Sequence, residues 1–177
     1  MSAARSLLRP LLPAALWALG ACTPSPQPIA YGRDACDYCR MVISDPRYGA
    51  ELVTSKGKVH TFDSIECLAA YYLQAREGGA VHSVWVSDYA HPGTLVPAAE
   101  ARFVRTAGPA SPMGMGLTAF AADAEDSALR RSSGGAPPLR WEEVLALVER
   151  EGMPRGAAAA RGAPPRSPDG GERDGAR

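Results

Sequence analysis

Two thiols and a thioether fall within six residues of this chain, in Cys36-Asp37-Tyr38-Cys39-Arg40-Met41. A Cys-x-x-Cys pair brings two sulfurs close enough to chelate one metal ion or to close a disulfide. Four chemistries fit such a pair. Structural zinc asks for four nitrogen or sulfur ligands in a tetrahedron. Cys36, Cys39, Cys67 and one histidine could supply them, but no second Cys-x-x-Cys or paired histidine follows, and His60, His82 and His91 are scattered. A redox dithiol of thioredoxin type opens a helix after a buried strand, whereas Tyr31-Gly32-Arg33-Asp34 precedes this pair. A plain disulfide suits an oxidising compartment. Cu(I) is satisfied by two or three soft ligands, and under that reading Met41 is a ligand rather than a core filler.

Further sulfur lies downstream. Met113 and Met115 are each flanked by glycine in Pro112-Met113-Gly114-Met115-Gly116. Gly114 and Gly116 let the backbone come close to another surface, so a thioether here can reach across to the Cys36 region. Apolar plugging is the alternative role for both. Cys67 falls on a helix, opposite its apolar stripe and beside Gln74. From there it could face the Cys36 loop, a second packing surface or solvent. His60 shares a strand face with Phe62 and His82 with Val84, which suits structural histidines.

The elements that must carry these groups follow from periodicity. Residues 48–55 and 59–62 read as strands joined by Lys56-Gly57-Lys58, a hairpin. Asp63, with Glu66 three residues on, has the capping-box pattern, and a helix is expected over 64–76. Its stripe is Ile65, Leu68, Ala69, Tyr72 and Leu73, and Gly78-Gly79 stops it. Strands are expected at 81–87, 102–106 and 117–121, a short helix near 123–131 and a firmer one over 138–151. The 108–116 stretch is a loop by composition. The fold class is α+β, a small, mainly antiparallel sheet with packed helices.

The termini bear on where this chemistry takes place. Arg5 and Arg9 precede a short apolar run, Leu11 to Leu19, that is too short for a bilayer span of about 20 residues. A positive start, an apolar middle and a small-residue end make an export signal over 1–21. Leu19-Gly20-Ala21-Cys22 resembles the lipobox of bacterial lipoproteins, in which the cysteine is acylated and becomes the first residue. Residues 22–30 read as a Pro-rich tether, 31–152 as one domain, and 153–177 as a disordered tail of Gly, Ala, Pro, Arg and Ser. The expected setting is a membrane surface, held through the lipid anchor. Basic and acidic residues number 19 each, so there is no basic field for nucleic acid. With Cys22 lipidated, Cys36, Cys39 and Cys67 remain, an odd set that points to a free thiol or a metal site.

Four blocks occur in order: Asp34-Ala35-Cys36-Asp37-Tyr38-Cys39-Arg40-Met41, Phe62-Asp63-Ser64-Ile65-Glu66-Cys67, Trp85-Val86-Ser87-Asp88-Tyr89 and Pro112-Met113-Gly114-Met115-Gly116. Together they resemble the NosL family, the copper-chaperone lipoproteins that accompany nitrous oxide reductase, over roughly 31–122. The resemblance implies a fold similar to that of the organomercurial lyase MerB, without its activity. It implies a periplasm-facing lipoprotein that binds Cu(I); separately, Thr23 after Cys22 is not an inner-membrane retention Asp, which leaves outer-membrane sorting open according to the host. The copper would pass to an ABC-type assembly complex and on to nitrous oxide reductase. Carried over by position, Cys36, Cys39, Met41 and Met113 are the expected copper ligands, with Met115 and Cys67 as further candidates. The chain departs from the family pattern at Glu66, where a smaller residue is expected, and at Met115, where an aromatic is commoner.

A carrier rather than a catalyst is the expectation. Thiolates bind Cu(I) in competition with protons, while a neutral thioether leaves more readily. The rival is a thiol enzyme, an oxidoreductase or a carbon–mercury lyase, with Cys36 or Cys39 as nucleophile and Asp63 or Asp88 as acid.

Overall fold

Strand-forming residues on both sides of Lys56-Gly57-Lys58 pair as a hairpin at the start of the sheet. In the computed structural model, which describes residues 23–106 and 111–153, β1 (Ala50–Thr54) pairs antiparallel with β2 (Val59–Phe62), Leu52 opposite His60. β3 (Val81–Ser87) pairs antiparallel on the other side of β1, and β4 (Leu95–Pro97) adds the outer edge, giving the order β2-β1-β3-β4. A second ribbon joins β5 (Arg102–Arg105) to β6 (Leu117–Phe120), and a bridge from Asp88 to Ala119 ties it to the end of β3. Helices α1 (Ile65–Ala75), α2 (Asp126–Ser133) and α3 (Trp141–Glu151) complete the α+β architecture. No helix among the described residues is long and apolar enough to cross a membrane.

The main core lies between the sheet and α1. Phe62, Ile65, Leu68, Val86, Phe103, Leu117 and Val144 are all at most 1% exposed. The α1 stripe packs on α3, with Tyr72 edge-on to Trp141 at 5.7 Å. Gly79, at φ 62, ends the single 3-10 turn that follows α1, a left-handed position that suits glycine.

Four details differ from the sequence reading. Ser64, not Asp63, caps α1, its hydroxyl accepting the Cys67 N–H at 3.2 Å. The Asp63–Glu66 capping box does not form, because Glu66 turns inward and is fully buried. β4 was not expected; three residues ending in proline carry too little alternation to read. Finally, the described part of the expected tether, residues 23–30, does not stay clear of the core. Ile29 is 8% exposed within it, and the Gln27 N–H donates to Glu51 Oε2 at 3.0 Å. Gln27 thus supplies a partner for Glu51, which is buried along with Ala50, Leu52 and Val53. The expected signal 1–21, the lipidation residue Cys22 and the tail from 154 onward lie outside the described residues.

Candidate metal centre

The Cys-x-x-Cys segment is a closed loop laid along the free edge of β2. The Cys36 N–H donates to the Met41 carbonyl at 2.8 Å and the Arg40 N–H to the Cys36 carbonyl at 3.0 Å, which closes the turn. The Asp37 N–H donates to Thr61 at 2.9 Å, continuing the sheet edge. Asp37 Oδ2 lies 2.6 Å from His60 Nδ1, and the Tyr71 hydroxyl lies 3.2 Å from the far nitrogen of the same ring. His60 thereby pins the loop rather than joining the sulfurs. His82 is exposed, and His91 pairs with Asp88 at 2.7 Å, also engaged by the Ala90 N–H.

Arg40 closes the loop at φ 69, the one non-glycine residue with positive φ among the described residues. This left-handed backbone costs on the order of 1 kcal/mol for a residue with a Cβ. Beyond the turn, Met41 is 46% and Val42 54% exposed, the large apolar side chains that the described body leaves in solvent.

Folding the loop over the β2–α1 junction brings Cys36, Cys39, Asp63 and Cys67 together, with one ligand atom from each lying within 4.8 Å of all the others. Cys36 and Cys67 are buried, Cys39 is half-buried, and all three are free thiols. Cys39 Sγ donates to Asp63 Oδ2 at 3.3 Å, and the Cys39 N–H points at Cys36 Sγ at 3.5 Å.

These contacts set the protonation of the trio. Cys36 accepts from the Cys39 and Cys67 thiols and from the Cys39 and Asp63 amides, which together hold it down to about 2 despite burial. Contact with the Cys36 sulfur, together with burial, pushes Cys39 up. Cys67 is pushed up as well, by its hydrogen bonds to Cys36 and Cys39 and by burial. Burial and then the Cys36 charge raise Asp63 to about 6. These shifts favour ionisation at Cys36 with the protons kept on Cys39 and Cys67. Asp63 Oδ1 is buried without a hydrogen-bond partner among the described residues, an uncompensated acceptor in a dry site.

The thioethers divide into two sets. Met41 sits at the solvent-facing end of the loop. Met113 and Met115, 7% and 5% exposed, belong to the same continuous buried cluster as Cys36 and Cys67. Asp63, read from sequence as a cap, is the carboxylate of the group. With Ser64 taking the cap, the Asp63 side chain is left to face the thiols. Cys67 faces the Cys36 loop, one of the three placements open to it. Three sulfurs and a carboxylate can hold a soft monovalent ion on sulfur alone or a tetrahedral divalent ion with the oxygen as fourth donor.

Comparison with known proteins gives a consistent result. The NosL family model matches residues 29–147. The crystal structure of the copper chaperone NosL from Shewanella denitrificans is similar in fold, with a TM-score of 0.57 at 23% identity over 68% of this chain and 96% of that one. No curated protein matches the chain.

Proposed function

The chain belongs to the NosL family, and from that premise we propose that it is a carrier of Cu(I) that delivers the ion for assembly of the copper centre of nitrous oxide reductase. The observation that carries this reading is the convergence of three free thiols and Asp63 within 4.8 Å. A thiolate at Cys36 gives the incoming cation an anionic first ligand. Cys39 and Cys67 follow as their protons leave, and the thioethers of Met113, Met115 and Met41 supply neutral sulfur. The copper chaperone from Shewanella denitrificans has a similar fold, and the match to the NosL family is what supports carriage.

Release proceeds by ligand exchange. Met41, exposed beside half-buried Cys39, is the ligand that leaves first as a partner sulfur or imidazole enters. Attachment through Cys22 on the periplasmic side would place this mouth before an ABC-type assembly complex. The test is in cells: deleting the chain should yield nitrous oxide reductase short of copper, and Cys36→Ser should reproduce the defect. A reductase of normal copper content in both strains contradicts the reading.

Asp63 beside the Cys39 thiol favours one second reading, cleavage of carbon–mercury bonds. There a thiolate holds mercury and an acid protonates the departing carbon. Turnover of an organomercurial by the purified chain would establish that activity, and its absence leaves the carrier reading in place.

A further inference from the structure

Glu66 precedes Cys67 on α1 and is fully buried. A carboxyl group in such a place needs partners, and it finds them on the methionine loop. Its Oε1 accepts the Ser111 hydroxyl and, at 3.4 Å, the Leu117 N–H. Ser111 Oγ in turn accepts the Gly116 N–H at 2.9 Å, and the Ser111 carbonyl accepts the Gly114 N–H at 2.8 Å. The outer side of the loop is tied to β5 and the residue after it. Arg105 Nε donates to the Met115 carbonyl at 3.0 Å, and the Thr106 N–H donates to that of Gly116 at 2.8 Å. The inner anchor of Met113 and Met115 therefore runs through one side chain, set beside a thiol of the metal centre.

Glu66 Oε2 is buried with no partner among the described residues. Packing alone would favour an apolar residue here, so the position is held at a cost that the bridge must offset. We propose that Glu66 is a positioning residue: it fixes the loop of Met113 and Met115 in register with Cys67, so that thioethers and thiols address the same ion. This rests on copper binding at the thiol cluster and adds to it the element that sets its geometry.

The test uses the purified full chain, its Glu66→Ala, Ser111→Ala and Glu66→Gln variants and the Glu66→Ala/Ser111→Ala double. Hydrogen exchange at the Gly116 and Leu117 amides reads the bridge without metal. Competition with a chelator reads Cu(I) affinity. Glu66→Ala and Ser111→Ala both break the Ser111–Glu66 bond; the first also frees the Leu117 N–H and the second the Gly116 N–H. Each should speed exchange about tenfold at the amide it frees and weaken Cu(I) binding about tenfold. The double should be no weaker than the worse single. Glu66→Gln keeps an acceptor oxygen and should recover most of both losses. If Glu66→Ala fails to fold, Ser111→Ala, which deletes a single oxygen, carries the same two readouts. Exchange at the parent rate overturns the proposal. So does a lowered melting temperature with parental copper affinity, the signature of a merely structural role. Cys36→Ser separates the two readings. Loss of copper there with parental binding in Ser111→Ala sinks the bridge and spares the copper site; parental binding in Cys36→Ser sinks both.

Discussion

Loading the thiol cluster is expected to release a countable number of protons. Cys36 is held well below the ordinary thiol value by the groups that donate to it, and Cys39 is raised above that value by its contact with Cys36. Cys67 is raised further by its bonds to both and by burial. At pH 7 the trio therefore holds one thiolate and two thiols. An ion taken by Cys36 and Cys39 displaces one proton; an ion taken by all three displaces two. Each proton makes affinity rise tenfold per pH unit, about 1.4 kcal/mol. Between pH 7 and 9, above the range in which Asp63 titrates, the gain is then about 100-fold for two thiolates and about 10,000-fold for three. Thioethers add nothing to this slope, so it counts the thiols that lose protons. The perturbation is Cys67→Ala, which should reduce the release from two protons to one if Cys67 ligates. Calorimetric titration of Cu(I), held by a competing chelator, in buffers of different ionisation enthalpy measures the release at each pH. Release of less than one proton by the parent at pH 7, or an undiminished release from Cys39→Ser, would refute the arrangement of one thiolate and two thiols.

Three stability changes follow from the same geometry. Arg40→Gly should stabilise the chain by about 0.5–1 kcal/mol in urea unfolding, because glycine accepts φ 69 without strain. The pair lost with it, Arg40 to Asp37 at 3.5 Å with the arginine side chain 68% exposed, is worth less than that. Gly116→Ala should cost about 1–2 kcal/mol, since φ is +74 and the new Cβ would stand 3.0 Å from the Thr106 carbonyl. Glu51 is raised to about 6 by burial, against the pull of the Gln27 N–H. The stability of its protonated form is full below the ordinary value of 4.5 and is lost as pH rises through about 6. Glu51→Gln should accordingly match the parent at pH 4 and exceed it in urea midpoint at pH 7.5.

Local periodicity decides much of this structure. The β1–β2 hairpin, α1 and β3 have strong alternation or a helical stripe, and their limits fall within two residues of the expected ones. It is a weaker guide where tertiary contact decides. Asp63 and Glu66 show the capping-box spacing, yet Ser64 takes the cap. The sequence offers no sign that one acid faces the thiols and the other the methionine loop, since both partners are distant along the chain. Cys67 was ambiguous for a related reason. A residue off the main stripe is exposed on a helix packed on one side, and α1 is covered there by the Cys36 loop. Ile29 was read as part of a tether because the segment around it is rich in proline, but one apolar side chain in the core is enough to fold it in. The sulfur residues themselves were legible from type and spacing. Their division into a buried set and an exposed Met41 required the fold.

The most direct test of the central claim is Cu(I) titration of the reduced, purified chain and of Cys36→Ser and Cys39→Ser, each read against a competing chelator. The thiolate at Cys36 and the Cys39 thiol that supports it predict that both variants bind far more weakly than the parent, Cys36→Ser the more so. Parental affinity in both would contradict the account.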